Sequence, residues 1–453
     1  MRSTTSADMD GHASRMAAGG RPDAVAAVDS PAESHRRFDV IAVLCLAIWV
    51  VASRAPYLDT FDFMGKDGPL YVNALKLDAT YDVPMPGNLG YVLLGKLANV
   101  FWAEPVTAFL AVNVGLTIVG AAFAYLFGTL VVSRPMAAAA ALAMTSNPMV
   151  WWHGGAIASY PVWLAVLPAI GFFGMRYRRE SRFGDLIGAS AALGLGMILR
   201  PDLLFFGTPL WAGSLLLGRA SWKHWLIGAA ILAAACFAWF FGTAWVLGGV
   251  DVYLGRVRAK HEGDKAGFSL MGRGLFEGLV RNVVKYGLFL AWGSWLVVPP
   301  FLIGLARSLR LENWRGLVLA TLWVAPSWAF SFLIFAGNAG LIFPFLPLLY
   351  LGAVIGLRTL AGERRAVLAM GGLALLSALQ FTQTRLLPQH DQRDVILNVT
   401  FLRYSGAGLT QRYNFNLDDF DVSPALADVR RQMKNPEPIP GQPVLLPGQL
   451  LPR

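Results

Sequence analysis

Apolar residues run in long blocks along most of the chain, at 38–53, 106–132, 136–150, 157–175, 184–199, 203–218, 225–248, 286–306, 316–336, 341–357 and 366–382, with polar positions gathered between them. Many of these blocks approach the ~20 residues a helix needs to cross a bilayer, which predicts an all-α polytopic membrane protein of about eleven transmembrane helices. The segment between the first two blocks has a different pattern. Asp67 precedes Gly68 and Pro69 as an N-cap should, and Leu70, Ala74 and Leu77 follow at helical spacing, with Asn73, Lys76 and Thr80 on a polar side. After the turn PMPGN, the segment 89–102 is apolar, too short to cross and interrupted by Lys96, so it is expected to lie flat in the interface. Two juxtamembrane helices are therefore predicted in the first long connection.

Charge then orients the helices. Alternate connections carry Arg36 and Arg37, Arg134, Arg176 to Arg182, Arg219 with Lys223, Arg307 to Arg315, and Arg358 with Arg364 and Arg365. Short arginine-rich loops belong in the cytoplasm, so the N-terminus is expected inside and the C-terminus outside. This sidedness accounts for 38 Lys+Arg against 28 Asp+Glu without invoking nucleic acid. Three regions follow: a disordered cytoplasmic leader 1–37, a transmembrane domain 38–382 and an extracytoplasmic tail 383–453. The Ala/Arg-rich leader and the lack of organellar signals point to a bacterial inner (plasma) membrane. Cys45 and Cys236 both sit in apolar blocks, which argues against a disulfide framework or thiolate metal site. No HExxH, Walker or G-x-S-x-G pattern occurs, leaving metalloprotease, nucleotide-hydrolase and serine-hydrolase readings without support.

The two long outer connections, 54–105 and 249–285, hold the candidate chemistry. Asp67 can be a helix cap contributing ~1 kcal/mol, Asp78 and Asp82 solvated turn residues, and Asp59 and Asp62 a frame for the exit of the first span. Alternatively, a carboxylate at the water–lipid boundary could deprotonate an attacking hydroxyl or hold a divalent cation. The second connection carries Arg256, Arg258, Lys260, His261, Lys265, Arg273, Arg281 and Lys285 on the side where cations are disfavoured. It reads either as a surface for anionic headgroups or as a phosphate grip. At Arg200-Pro201-Asp202, Asp202 can cap the following helix while Arg200 closes the previous one, or the two can pair beside a polar cavity. His153, beside Trp151 and Trp152, and Tyr160 flank another outer turn, as interfacial anchors or as substrate contacts.

The first span followed by YLDTFDFMGKDGPLYVNALKLD and YDVPMPGNLGYVLLGKL resembles the opening of the GT-C integral-membrane glycosyltransferases, including those like dolichyl-phosphate-mannose–protein mannosyltransferases. Further similarity lies at SNPMVWWHGGAIASYP, at GLGMILRPDLLFFGTPL and at FAGNAGLIFPFLPLLYLG, so that the resemblance covers roughly residues 38–357. It implies an inverting transferase that takes a sugar from a polyprenyl-phosphate donor at the outer face and passes it to a lipid, glycan or protein acceptor. The family's acid maps onto Asp67, with Asp62 as competitor, and the leaving phosphate would need cations, for which Arg256, Arg258 or Lys265 are candidates. An arginine-proline turn borders the family's cavity, which adds Arg200 and Asp202. The sequence departs from the pattern at GGAIASY, where an acid is common, and at Leu341 and Ile342, where an aromatic or basic residue is expected. A polyprenyl-linked glycan transporter or flippase is the alternative, with a non-catalytic assembly subunit third. A transporter should show internal repeats or paired broken helices with charges near midplane, and no convincing repeat is visible.

Overall fold

The computed structural model describes residues 31–55, 67–76, 84–268, 275–310, 314–334 and 339–386. Asp59, Asp62, Asp78, Asp82, Arg273 and the tail from 387 onward lie outside the described residues. Among those described, all regular structure is helical: α1 Pro31–Arg54, α2 Asp67–Lys76, α3 Leu89–Asn99, α4 Pro105–Thr129, α5 Arg134–Thr145, α6 Pro148–Gly154, α7 Pro161–Glu180, α8 Phe183–Leu199, α9 Leu203–Leu217, α10 Trp222–Val246, α11 Val250–Phe268, α12 Leu275–Ser294, α13 Val298–Arg310, α14 Trp314–Leu333, a 3-10 turn Ala339–Ile342, α15 Leu346–Ala361 and α16 Glu363–Leu386. Starts follow local chemistry. At α4, Pro105 needs no N–H partner and the Glu104 carboxylate accepts from Thr107 N at 2.6 Å; at α10, Ser221 Oγ accepts from His224 N.

Pro105–Thr129, Trp222–Val246 and Trp314–Leu333 are each long and apolar enough by themselves to cross a membrane. Phe183–Leu199, Leu203–Leu217, Val298–Leu309 and Leu346–Ala361 are shorter apolar helices. Two expected spans are broken. The block 136–150 splits into α5 and α6 at Ser146-Asn147, and 286–306 splits into α12 and α13 ahead of Pro299-Pro300. Proline lacks an N–H and restricts its predecessor, so Pro148 and Pro299 end the preceding helical ladders. The breaks meet: buried Asn147 Nδ2 lies 2.8 Å from Gly293 O, 2.9 Å from Ser294 Oγ and 2.9 Å from Tyr350 Oη on α15. Its Oδ1 accepts from Met149 N. Asn147→Ala is expected to strand these groups and cost about 1–3 kcal/mol or more, read as a lower thermal midpoint in detergent.

Further differences concern boundaries. Helix α1 starts at Pro31, so the last residues of the expected leader are helical, with Glu33 and Arg37 paired one turn apart; α16 likewise runs to Leu386, past the expected boundary at 383. The connection 249–285, read from its charge as a loop, forms α11 and the first half of α12.

Several arginine-bearing connections share one end of the bundle. Arg134 Nε pairs with Asp39 at 2.8 Å, Ser133 Oγ bonds Glu363, Arg179 donates to Leu130 O and Tyr177 Oη meets His224 Nδ1. The helix pair α13·α15 packs backbone to backbone there and above. A Cβ at Gly356 would overlap Pro300 O, and one at Gly304 would overlap Gly352 O. Small residues let membrane helices approach this closely.

Candidate functional site

The polar side chains of the opposite end are assembled around the stretch 155–160. Asn113, fully buried in the middle of the apolar run of α4, donates from Nδ2 to Ala156 O at 2.6 Å and Ala158 O at 3.0 Å. Its Oδ1 accepts from Tyr91 Oη of α3 at 3.0 Å. The small residues of GGAIAS are thus held through their backbone carbonyls, a use that needs no acid at this point. Asn113→Ala is expected to leave those carbonyls unsatisfied and to loosen 155–160, visible as faster amide hydrogen exchange there than in α7.

Ser159 and Tyr160 are presented to the turn after α8. Arg200 Nε lies 3.0 and 2.9 Å from the two Asp202 carboxylate oxygens, and Nη1 donates to Ser159 Oγ at 2.8 Å. The guanidinium stacks 4.0 Å from the Trp163 ring and 4.4 Å from the Tyr160 ring, while Trp163 Nε1 donates to Asp202 Oδ1 at 2.9 Å. Of the two readings of Asp202, a cap of α9 or a partner of Arg200, the structure has the second: its side chain makes no cap bond and holds the guanidinium. Charge-assisted bonds from a guanidinium are about twice as strong as neutral ones, so the arginine wins the carboxylate. The pair is mostly dry, with Arg200 12% and Asp202 30% exposed.

His153 is buried behind this turn, its ring 5.1 Å from both Tyr160 and Phe343. Burial, and secondarily the Arg200 charge, push its pKa down from 6.5 to about 3. The folded imidazole stays neutral while the unfolded one gains a proton below 6.5, so stability is lost as pH falls from about 6.5 toward 3. His153→Gln is expected to flatten that part of the stability–pH curve. Gly340 explains the late glycine-rich motif: a Cβ there would overlap the Tyr160 ring. Leu341 and Ile342, departures from the expected pattern, are core residues in this packing.

The first outer excursion reaches the same cluster. Helix α2 begins at Asp67, and one turn later Tyr71 is buried, its ring edge-on to Tyr91 at 4.9 Å. Asn88 Nδ2 donates to Tyr71 Oη at 2.6 Å, and Tyr71 Oη donates to Ser159 Oγ at 3.4 Å. Ala74 is buried and Asn73 exposed as the amphipathic pattern requires, and Val72 joins the buried face. The second excursion docks on the first: Tyr253 Oη of α11 donates to Pro86 O at 2.9 Å and Trp239 Nε1 of α10 to Gly87 O at 2.9 Å.

Arg200, Asp202, His153 and Tyr160 therefore share one cluster, and Asp67 heads the helix that Tyr71 ties to it. Arg256 and Arg258 are exposed on α11 beyond Tyr253, and Lys265 stands further along that helix. Among the described residues, no group of three or more His, Cys, Asp or Glu converges to hold a metal. Sequence reading overlooked Asn113, Ser159, Trp163 and Arg54. Arg54 ends α1 fully buried, donating to Thr145 O and Ser53 Oγ at 2.6 Å each and lying 5.1 Å from the Trp151 ring centroid. A polar residue inside or ending an apolar run was the available signal for Asn113 and Arg54; Ser159 and Trp163 carried none.

No protein-family model matches the chain, and no curated protein matches it. Solved structures do. ArnT from Cupriavidus metallidurans bound to undecaprenyl phosphate is similar at TM-score 0.55 and 15% identity, over 91% of this chain and 82% of that one. This chain shares the fold of that ArnT. The apo form of the same ArnT is similar at TM-score 0.50 and 16% identity with the same coverage. An Archaeoglobus fulgidus oligosaccharyltransferase tethered with an acceptor peptide follows at 0.47 and 12%, over 77% of this chain and 54% of that one.

Proposed function

We propose that the chain is a membrane glycosyltransferase that moves a sugar from a polyprenyl-phosphate donor to a lipid, glycan or protein acceptor at the outer face, with inversion. The observation that carries this reading is the meeting of α2, headed by Asp67, with the half-buried Arg200–Asp202 pair through Tyr71 and Ser159, within a GT-C fold. In the reaction, Asp67 takes the proton of the acceptor hydroxyl as that oxygen bonds the anomeric carbon, and the carbon–phosphate oxygen bond breaks with its electron pair leaving on the polyprenyl phosphate. A phosphate leaves without protonation where cations meet its charge. Arg256, Arg258 and Lys265 on α11 are the candidates, because α11 is anchored to the Pro86-Gly87 turn and Arg200 is already neutralised by Asp202. Asp62 stays the competitor for the base. His153 and Tyr160 serve as walls, and a divalent cation held by the acids of the first excursion belongs to the same proposal.

The inner membrane, with the arginine-rich end of the bundle in the cytoplasm, is the location this reading requires. ArnT, as solved with undecaprenyl phosphate, supports the choice of donor carrier. The transporter alternative draws on the paired breaks at Asn147 and at 295–297, yet neutral hydrogen bonds from Asn147 to Gly293 and Ser294 close that junction. The test is turnover: the full-length chain in proteoliposomes, given a panel of undecaprenyl-phosphate hexoses and pentoses with an acceptor lipid extract, should release undecaprenyl phosphate. Movement of intact donor across the bilayer without release favours the transporter. Arg200→Lys keeps the charge but loses the fork that holds Asp202 and Ser159, and should lower turnover about 10-fold or more.

A further inference from the structure

The Tyr71 hydroxyl sits at the junction of three separate stretches of chain. Asn88, at the end of the Pro86-Gly87 turn, donates to it at 2.6 Å; it donates in turn to Ser159 Oγ at 3.4 Å, and the same Ser159 oxygen accepts Arg200 Nη1 at 2.8 Å. The Tyr71 ring is clamped independently, 4.9 Å from Tyr91 and 5.7 Å from Phe109, at 1% exposure. Ring packing sets how deeply α2 seats. Rotation about the helix axis is set by directional bonds, and the hydroxyl supplies them. Asp67 and Tyr71 are four residues apart on α2, about one helical turn, so the two positions move together with the helix. Whatever fixes Tyr71 fixes the position from which residue 67 works.

We propose that Tyr71 is a positioning residue for the acid on α2, and that the chain Asn88–Tyr71–Ser159–Arg200 holds that helix in register with the Arg200 turn. This rests on the reading of Asp67 as the base. A base displaced by about 1 Å loses on the order of 100-fold in rate, so the hydroxyl should matter for turnover and little for donor binding. Ser159 is the shared acceptor, which makes Tyr71 and Ser159 act as one unit.

The test compares Tyr71→Phe, Ser159→Ala, Ser159→Thr, the Tyr71→Phe/Ser159→Ala double variant and Asp67→Asn in the full-length chain. Two readouts are needed: kcat and KM in proteoliposomes for the undecaprenyl-phosphate sugar that the wild type turns over, and amide hydrogen exchange across 68–76. Tyr71→Phe should lower kcat about 10- to 100-fold with KM within about 3-fold, and α2 should exchange about 10-fold faster while α7 does not change. Ser159→Ala should match it, Ser159→Thr should keep near-wild-type kcat, and the double variant should be no worse than either single one. Unchanged exchange in α2 for Tyr71→Phe overturns the proposal, as does unchanged kcat while Asp67→Asn is inactive. If Asp67→Asn itself retains transfer, the base assignment has failed, and the exchange measurement still reports whether the hydroxyl holds α2.

Discussion

Asp67→Asn is expected to lower sugar transfer by roughly 10²- to 10⁴-fold while leaving the protein folded, because the amide keeps the size and loses the ability to accept a proton. The rate loss should fall on kcat, since the proton moves only as the acceptor oxygen attacks the anomeric carbon. Asp62→Asn serves as the comparison: a loss there with Asp67→Asn unaffected moves the base to the competitor, and two active variants remove a carboxylate base from this excursion. Release of undecaprenyl phosphate in proteoliposomes reads both. The pattern also separates Asp67 as base from Asp67 as helix cap, for which a loss of about 1 kcal/mol in stability and little in rate is expected.

Gly356→Leu prevents recovery of folded protein, and Gly356→Ala costs about 3 kcal/mol or more. Its Cβ would overlap the Pro300 carbonyl oxygen and stand 2.9 Å from Gly304 N, both backbone atoms that no rotamer change can move. Relief requires α13 and α15 to separate, and α15 also carries Tyr350, the partner of Asn147. Gly371→Ala, in the middle of α16 with open space around its Cα, is the control and should raise the thermal midpoint slightly. Equal behaviour of the two alanine variants in detergent would contradict the close packing of α13 on α15.

Helix placement was legible because lipid imposes a single rule: apolar residues in long blocks, charges between them. Asp67 at the head of a short helix and the apolar segment after PMPGN were readable for a similar reason, since amphipathic spacing is local. The breaks at Asn147 and at 295–297 carry a sequence signal in Pro148, Pro299 and Pro300, which apolar block length alone does not register. The helix α11 was hidden by its charge, which marks exposure and says nothing against helicity. Arg200 and Asp202 were found as a pair, yet Asp202 looked like a cap because the third member, Trp163, is distant in sequence. Ser159 was illegible on principle: a serine in a small-residue loop acquires meaning only when Arg200 and Tyr71 arrive from elsewhere in the chain.

Binding of undecaprenyl phosphate to the wild-type chain, followed by structure determination, tests the central claim most directly. The account predicts the phosphate in the space bordered by the head of α2, the Pro86-Gly87 turn and the basic side of α11, on the Arg200 end of the bundle. A phosphate bound at the opposite end, among Arg134, Arg179 and Arg364, would contradict it.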